Sequence, residues 1–518
     1  MKNWLPILTG LLAAAFYLLT LQRGYYDDGI RFEGMLGAGD LAYIHVLYLP
    51  VVLGLRDLLS SVGVDSEQAL KITAALSGGF AVGITCRVAL DTFIYPAKAI
   101  AVALLLAGLF GFWFHSTATE LHAFHAAFAS CLLLGLIRFV DAPERATPGL
   151  YLLLFFGAAT TPASHASGVA TGLPILCALC FAGGARRRLL MVIGAGLAVW
   201  GGVYYYLYEL FEGYSTAQSD KLPRLLENPG LLPGQIQAVA AELLLYSVPA
   251  STLIPAGFRV LCQKVPKQGM LCLSWILGWA ILALPVGDRA YGSNFVATMP
   301  AQALLAIAAL HGLAVSPWRM ILTALLAFLP LPVFWYLGEL AAVIGSLGSA
   351  LVLWVLVRPA IARPRWPFLL HVVLFAVSAV VMAPIIQRDP IRDQIAAVAA
   401  LVDPDATVVL LEKSPNKHLI WARYFPGAQE PNARVCNPFF VDYLVPEKVA
   451  PTLDEYRRRV AAQAARQGRV FLVRESGDGG SPSRYEAEVD TFLGDLRREY
   501  STHPTALPGL FELKKRQP

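Results

Sequence analysis

Apolar runs long enough to cross a bilayer recur along the first three quarters of this chain. A helix needs about 20 mostly apolar residues to traverse ~30 Å of hydrocarbon, and inside lipid its backbone amides must be satisfied within the segment. Such runs fall near 4–21, 68–90, 97–115, 119–139, 148–163, 165–182, 188–209, 239–261, 270–286, 294–314, 318–336, 338–357 and 366–386. At 518 residues, 56% hydrophobic and 15% charged, with mean hydropathy +0.56, the chain is too apolar for a soluble protein of its size. The expected fold is therefore a polytopic α-helical membrane protein with about 13 transmembrane helices. From about residue 387 the character changes. Strand-like runs at 406–411, 469–474 and near 510–514 alternate with helical stretches, two of them opened by the capping boxes Thr452-x-x-Glu455 and Ser483-x-x-Glu486. The domain boundaries expected are thus 1–386 for the membrane module and 387–518 for a small α/β domain.

The formal net charge of +5 does not mark a nucleic-acid binder, because Lys and Arg fall in short clusters between apolar runs rather than on one basic face. Positive-inside topology accounts for them. Lys2 precedes an apolar stretch to Leu21, and Gln22-Arg23-Gly24-Tyr25-Tyr26 offers no small-x-small cleavage site, so the first helix reads as uncleaved and entering from the cytoplasm. The segment 41–60 is apolar but contains His45, Pro50, Arg56 and Asp57. Counting it as a helix lying in the outer interface, within an outer loop 22–67, keeps clusters such as Arg186-Arg187-Arg188 inside. The odd number of spans then leaves the tail outside, in a bacterial inner membrane.

The seven cysteines offer no disulfide framework: six lie in or beside apolar helices, and Cys177-x-x-Cys180 reads as ordinary packing. Cys436 stands alone in the tail and is expected to react with an impermeant thiol reagent added from outside.

The polar residues near the expected outer mouth carry the chemistry. Asp27 and Asp28 follow the first helix, well placed to take a proton from a substrate at the membrane surface. Glu120, His122 and His125 open the span 119–139, with His115 just before; on a helix, Glu120 and His125 would occupy neighbouring faces and His122 would sit one turn from His125. The histidines read equally well as interfacial, hydrogen-bonded structural groups. Three imidazoles and a carboxylate also leave a divalent cation open, although His-x-x-His without a second pair is a weak metal signature. His165 follows Pro162 in Thr160-Thr161-Pro162-Ala163-Ser164-His165, and Arg289 lies in the outer turn Gly287-Asp288-Arg289-Ala290-Tyr291. A guanidinium there suits a lipid phosphate, with an ion pair to Asp288 as the plain alternative. The tail has no G-x-G-x-x-G and no P-loop.

The order of these features resembles the GT-C superfamily of membrane glycosyltransferases, close to the protein O-mannosyltransferase branch and its bacterial relatives. The likeness lies in Asp28-Gly29 with Glu33 followed twelve residues later by His45, then Thr119-Glu120-Leu121-His122-Ala123-Phe124-His125, then the Pro162 to His165 turn. It covers most of the membrane region in order and the tail loosely. Asp28 and Glu33 stand further apart than in the relatives' Asp-Ser-Gly-Glu, and Val46 and Leu47 replace a His-Pro-Pro-Gly. Asp28, then Asp27, is the favoured equivalent of the family's base, with Glu33 a third candidate.

The resemblance implies inverting transfer of a sugar from a polyprenyl-phosphate donor to a hydroxyl of an acceptor protein, lipid or glycan. It casts Asp28 as base, Arg289 with His45 or His165 as stabilisers of the departing phosphate, and Glu120 as the group orienting acceptor or sugar. Glu33, His122 and His125 complete the substrate-binding candidates. Two other classes share the composition: a transporter or flippase of a lipid-linked glycan, disfavoured by the nearly uncharged span interiors, and a glycan polymerase or ligase of another fold.

Overall fold

The computed structural model describes residues 3–25, 29–38, 46–93, 95–210, 229–285, 293–313, 316–357, 367–386, 389–402, 406–411, 415–425, 435–439, 446–466, 469–474 and 485–516. The chain divides into two compact units, one comprising Met1–Gln22 with Met35–Gln387 and the other Arg23–Gly34 with Arg388–Pro518. The segment Arg23–Gly34, expected within the outer loop, thus groups with the tail.

Among the described residues the first unit is helical throughout. Its helices begin with α1 (Leu5–Leu19), α2 (Gly29–Ala38, shared with the second unit), α3 (Tyr48–Leu59), α4 (Ser66–Phe93), α5 (Pro96–Gly108), α6 (Phe110–Thr117) and α7 (His122–Asp141). They continue with α8 (Pro148–Ser164), α9 (Gly172–Phe181), α10 (Arg186–Leu210), α11 (Leu232–Leu245), α12 (Ala250–Lys264), α13 (Pro266–Ala283) and α14 (Met299–Leu313). Last come α15 (Pro317–Phe328), α16 (Pro330–Leu337), α17 (Glu339–Leu356) and α18 (Pro367–Ile386).

Small residues set how closely these helices pack. A Cβ at Gly79 would come within 2.7 Å of the Gly10 carbonyl oxygen, and one at Gly83 within 2.7 Å of the Pro6 carbonyl oxygen. The Gly79-x-x-x-Gly83 spacing puts both on the face of α4 that meets α1, so the two backbones nearly touch. Lipid tails are as apolar as leucine, so contact of this kind, rather than hydrophobic exclusion, holds the pair together. α12 and α14 meet in the same way at Gly257.

Among the described residues, five helices are individually long and apolar enough to cross a membrane, or up to seven if each of two bent pairs is one span. The bends correct two expected straight spans. The run 97–115 divides into α5 and α6, turned by 65° at Leu109, whose ψ of 130° is extended. The run 239–261 divides into α11 and α12, turned by 83° ahead of Ala250; Pro249 lacks the amide that would continue the first helix. The span expected from 119 starts at His122 instead. Within 41–60, α3 is 12 residues long, about 18 Å at 1.5 Å per residue and short of the hydrocarbon thickness.

The second unit holds a five-stranded sheet of order β2-β1-β3-β5-β4, formed by β1 (Thr407–Leu411), β2 (Val435–Cys436), β3 (Val470–Arg474), β4 (Tyr500–Pro504) and β5 (Leu510–Lys515). β2 and β3 run parallel to β1, while β5 is antiparallel to both β3 and β4. Alternation sends Val408, Leu410 and Phe471 to one face, under Trp421 and Phe425, and Val409 and Val470 to the other, against Tyr456, Val460 and Phe492. β2 and β4 escaped sequence reading because a two-residue strand has no pattern and Tyr-Ser-Thr-His-Pro is largely polar and exposed.

The box at Thr452 does not open a helix. The helix runs Pro446–Ala465, started by Pro446, and the Thr452 hydroxyl donates back to the Lys448 carbonyl at 2.7 Å. Ser483 lies outside the described residues. Cys436, expected to be reactive, is fully buried beneath Tyr456 and Val460, and burial pushes its thiol up to about 12. Because the thiolate is the reacting species, this cysteine is shielded on whichever side of the membrane the domain lies.

Gly257→Ala tests the backbone contact. Its Cβ would overlap the Leu305 carbonyl, and overpacking of this kind costs about 1–3 kcal/mol. The variant is expected to melt well below the parent in detergent; an unchanged melting temperature would show that the helices separate freely.

Candidate active site

Two breaks between helices meet in the first unit. α6 ends at Thr117, and Ala118 turns extended (φ −87°, ψ 170°), so Glu120 sits in a bend before α7 rather than on it. This corrects the helical placement of Glu120 relative to His125. α8 ends at Ser164, with Pro162 in its last turn, and His165 follows in extended conformation (φ −159°).

The result is a chain of imidazoles. The rings of His115 and His122 lie 4.8 Å apart centre to centre, those of His122 and His165 5.3 Å, and those of His165 and His125 5.1 Å. Glu120 is 2% exposed, and its Oε2 lies 3.9 Å from His122 Nε2, within ion-pair range but beyond a direct hydrogen bond. The fully buried Tyr48 phenol is within electrostatic range of the same carboxylate, and its ring meets Phe124 edge-on at 5.4 Å. Tyr48 is held there because the preceding Leu47 amide donates to the Ala163 carbonyl at 3.2 Å.

Hydrogen bonding orients two of the rings. Ser164 Oγ gives its one proton to the Thr161 carbonyl (2.7 Å), so at 2.9 Å from His125 Nδ1 it accepts. His125 therefore carries a proton on Nδ1, and in the neutral ring Nε2 presents its lone pair toward Ser167 Oγ, 3.5 Å away. His165 has the opposite arrangement. Its Nδ1 accepts the Ser167 amide at 3.0 Å, which puts the proton of the neutral ring on Nε2. The cluster thus offers one ring nitrogen as acceptor and another as donor. Trp279 closes one side, 6.0 Å from His125 and stacked on Trp275, whose indole donates to the Ala297 carbonyl at 2.9 Å.

The structure thus brings together Glu120, His122, His125 and His165, four of the residues picked from sequence. Ser164, Ser167, Tyr48, Trp275 and Trp279 were not picked: a serine beside a proline reads as a turn, and Trp275-x-x-x-Trp279 reads as one face of an apolar helix. Asp27, Asp28, His45 and Arg289 lie outside the described residues. No group of three or more His, Cys, Asp or Glu among the described residues is arranged to hold a metal ion. Gln22, the last residue of its segment in this unit, donates its side-chain amide to the Phe114 carbonyl at 2.8 Å and its backbone amide to that of Thr117 at 3.2 Å. The chain therefore leaves the unit beside the end of α6.

Glu33 belongs to the second unit. Its Oε2 accepts the Tyr25 hydroxyl at 2.5 Å, and Arg423 approaches Oε1 at 3.4 Å. Arg392 stacks over Tyr424, 3.9 Å from the ring centre, and donates to the Arg23 carbonyl at 2.8 Å. Tyr25 and Ile30 are buried in this unit's core. These contacts engage Glu33 within the α/β unit.

No family model matches the chain, and no curated protein matches it in sequence. In fold it is similar to the crystal structure of ArnT from Cupriavidus metallidurans bound to undecaprenyl phosphate, with a TM-score of 0.51 and 14% identity over 99% of this chain and 98% of that one. The apo state of the same protein gives a TM-score of 0.54 at 14% identity, over 98% and 97% of the two chains. At this identity the likeness shows the fold: a polytopic helical membrane module followed by a small α/β domain, as in the expected GT-C-like architecture.

Ser164→Ala would remove the Ser164 Oγ acceptor of the His125 Nδ1 proton and leave the ring only its backbone partner at Thr161. The expected cost is about 0.5–1.5 kcal/mol of stability, read as a lower melting temperature in detergent, with Ser164→Thr retaining most of it. Equal melting of parent and alanine variant would refute the assigned direction of this bond.

Proposed function

We propose that this protein is a membrane glycosyltransferase that moves a sugar, with inversion, from a polyprenyl phosphate to an acceptor hydroxyl on the outer face of a bacterial inner membrane. One observation carries the reading: nearly the whole chain shares its fold with a structure that holds undecaprenyl phosphate. The carboxylate of Glu120, buried among imidazoles, agrees with it as a group able to orient a substrate hydroxyl. The lack of nucleotide-binding loops agrees with a donor held by its lipid chain. The likeness to the protein O-mannosyltransferase branch rests on motif order alone.

In this reading Asp28 removes the proton of the acceptor hydroxyl as its oxygen attacks the anomeric carbon from the face opposite the phosphate. The C–O bond to phosphate breaks and the electron pair departs with the lipid phosphate, where Arg289 stabilises it, aided by His165 or His45. Glu120, buffered by His122, orients acceptor or sugar hydroxyls, and His125 keeps the bend beside His165 in place. Asp27 is the adjacent alternative base.

Purified protein supplied with a polyprenyl-phosphate sugar or the corresponding nucleotide sugar is expected to turn over only the former. Asp28→Asn should reduce transfer by about 10²–10⁴-fold and Arg289→Ala by about 10²–10³-fold, both proteins remaining folded. Turnover of the nucleotide sugar without a lipid intermediate, or full activity in both variants, would defeat the reading.

The sidedness has its own test, for which buried Cys436 is unsuitable. In a cysteine-free background, Asp490→Cys at an exposed position of the α/β unit is expected to label with an impermeant reagent on intact cells. Arg187→Cys should label only after the membrane is opened. The reverse pattern would put the α/β unit on the cytoplasmic side.

A further inference from the structure

A second polar cluster in the first unit takes no part in this chemistry. It lies at the other end of α14 from the Trp275 and His125 site. Residues 293–298, which lead into α14, supply the Ala297 carbonyl to Trp275, whereas His311 lies at the far end, twelve residues or about 18 Å from Met299. α14 packs against α5 and α12, and α5 packs against α18. This arrangement gathers Lys98 from the start of α5, Lys264 from the end of α12 and His371 from the start of α18 around His311.

The electrostatic couplings agree with that placement. Lys264 acts on Lys98, both lysines act on His311, and His311 acts on His371. Neither lysine forms an ion pair with any described residue. The nearby carboxylates are already engaged: Asp91 with Arg138 at 2.7 Å and Arg87 at 3.2 Å, and Asp141 with Gln268 at 3.0 Å. Lys98 rides above the rings of Phe93 and Tyr95, 5.6 and 5.2 Å from their centres, with Tyr95 57% exposed. That pairing of a cation with an exposed aromatic ring is typical of headgroup depth.

His371 is the residue that positive-inside topology leaves unexplained. It is 4% exposed, and neither ring nitrogen has a hydrogen-bond partner among the described residues. A buried imidazole without a partner is costly, and here it stands beside lysines that have no ion-pair partner among the described residues.

We propose that Lys98, Lys264, His311 and His371 form a site for the phosphate of an anionic membrane lipid, on the membrane face opposite the candidate active site. The lysines supply charge, an imidazole N–H of His371 donates to a phosphate oxygen, and an acyl chain lies along the exposed apolar flank of α18, over Leu369, Val373, Val377 and Val380. Basic pockets between transmembrane helices bind anionic headgroups in this manner.

The test is native mass spectrometry of the detergent-purified full chain with phosphatidylglycerol or phosphatidylcholine. Phosphatidylglycerol is expected to be retained in preference to phosphatidylcholine. In Lys98→Gln with Lys264→Gln that preference should fall roughly thirtyfold, about fivefold for each lysine at an anionic surface. The single variants, and His371→Phe, which fills the same apolar pocket, should lose part of it without loss of melting temperature, which covers the case of a double variant that fails to fold. Equal retention of the two lipids, or parental preference in all variants, would overturn the proposal. Displacement of phosphatidylglycerol by millimolar inorganic phosphate would also overturn it, by showing a site for the free anion.

Discussion

The membrane unit depends on helices whose backbones touch. In lipid there is no water to drive apolar faces together, so helix pairs are held by the closeness that small residues allow. Gly10 and Ala14 on α1 meet Gly79 and Gly83 on α4, and Gly257 on α12 meets the Leu305 carbonyl on α14. These contacts fix where the helices end, and the helix ends carry the polar chemistry. The bend after Thr117, the start of α7 at His122 and the end of α8 at Ser164 converge only because α4 holds α6 and α7, and α7 holds α8.

A buried polar cluster has to satisfy itself. Ser164 and Ser167 are the small groups that do so, one accepting from His125 and the other donating its amide to His165. They settle which nitrogen of each ring bears a proton, and so turn two chemically identical side chains into one acceptor and one donor. The basic group at the other end of α14 is the counterpart: among the described residues its lysines form no ion pair and its buried histidine has no hydrogen-bond partner. The two ends of one helix therefore present opposite electrostatic problems, a buried carboxylate among imidazoles and a set of cations with no ion pair among the described residues.

Much of this was legible in the linear chain. Apolar run length specifies a membrane protein, the continuous apolar run Thr-Val-Val-Leu-Leu specifies a strand with two buried faces, and ionisable residues at span boundaries mark Glu120, His122, His125 and His165. Where sequence reading failed, local signals were ambiguous. Thr452-x-x-Glu455 has the composition of a helix start, but Pro446 had already begun the helix. Cys436 looked accessible because a valine and a cysteine between polar stretches carry no sign of a buried two-residue strand.

What the sequence determined by itself was chemistry and class: which segments can enter lipid, which residues can titrate, and where an α/β domain follows. Only the tertiary structure decided that Glu120 lies in a bend, that two apparently straight runs turn by 65° and 83°, and that Tyr48 shares the carboxylate's surroundings. The physical reason is that hydropathy is summed along the chain, whereas a kink, a tautomer or the meeting of residues 48, 120 and 165 is set by packing between segments far apart in sequence. The same limit hid the basic cluster: Lys98, Lys264, His311 and His371 are separated by 273 residues and become neighbours only where α5, α12, α14 and α18 pack together.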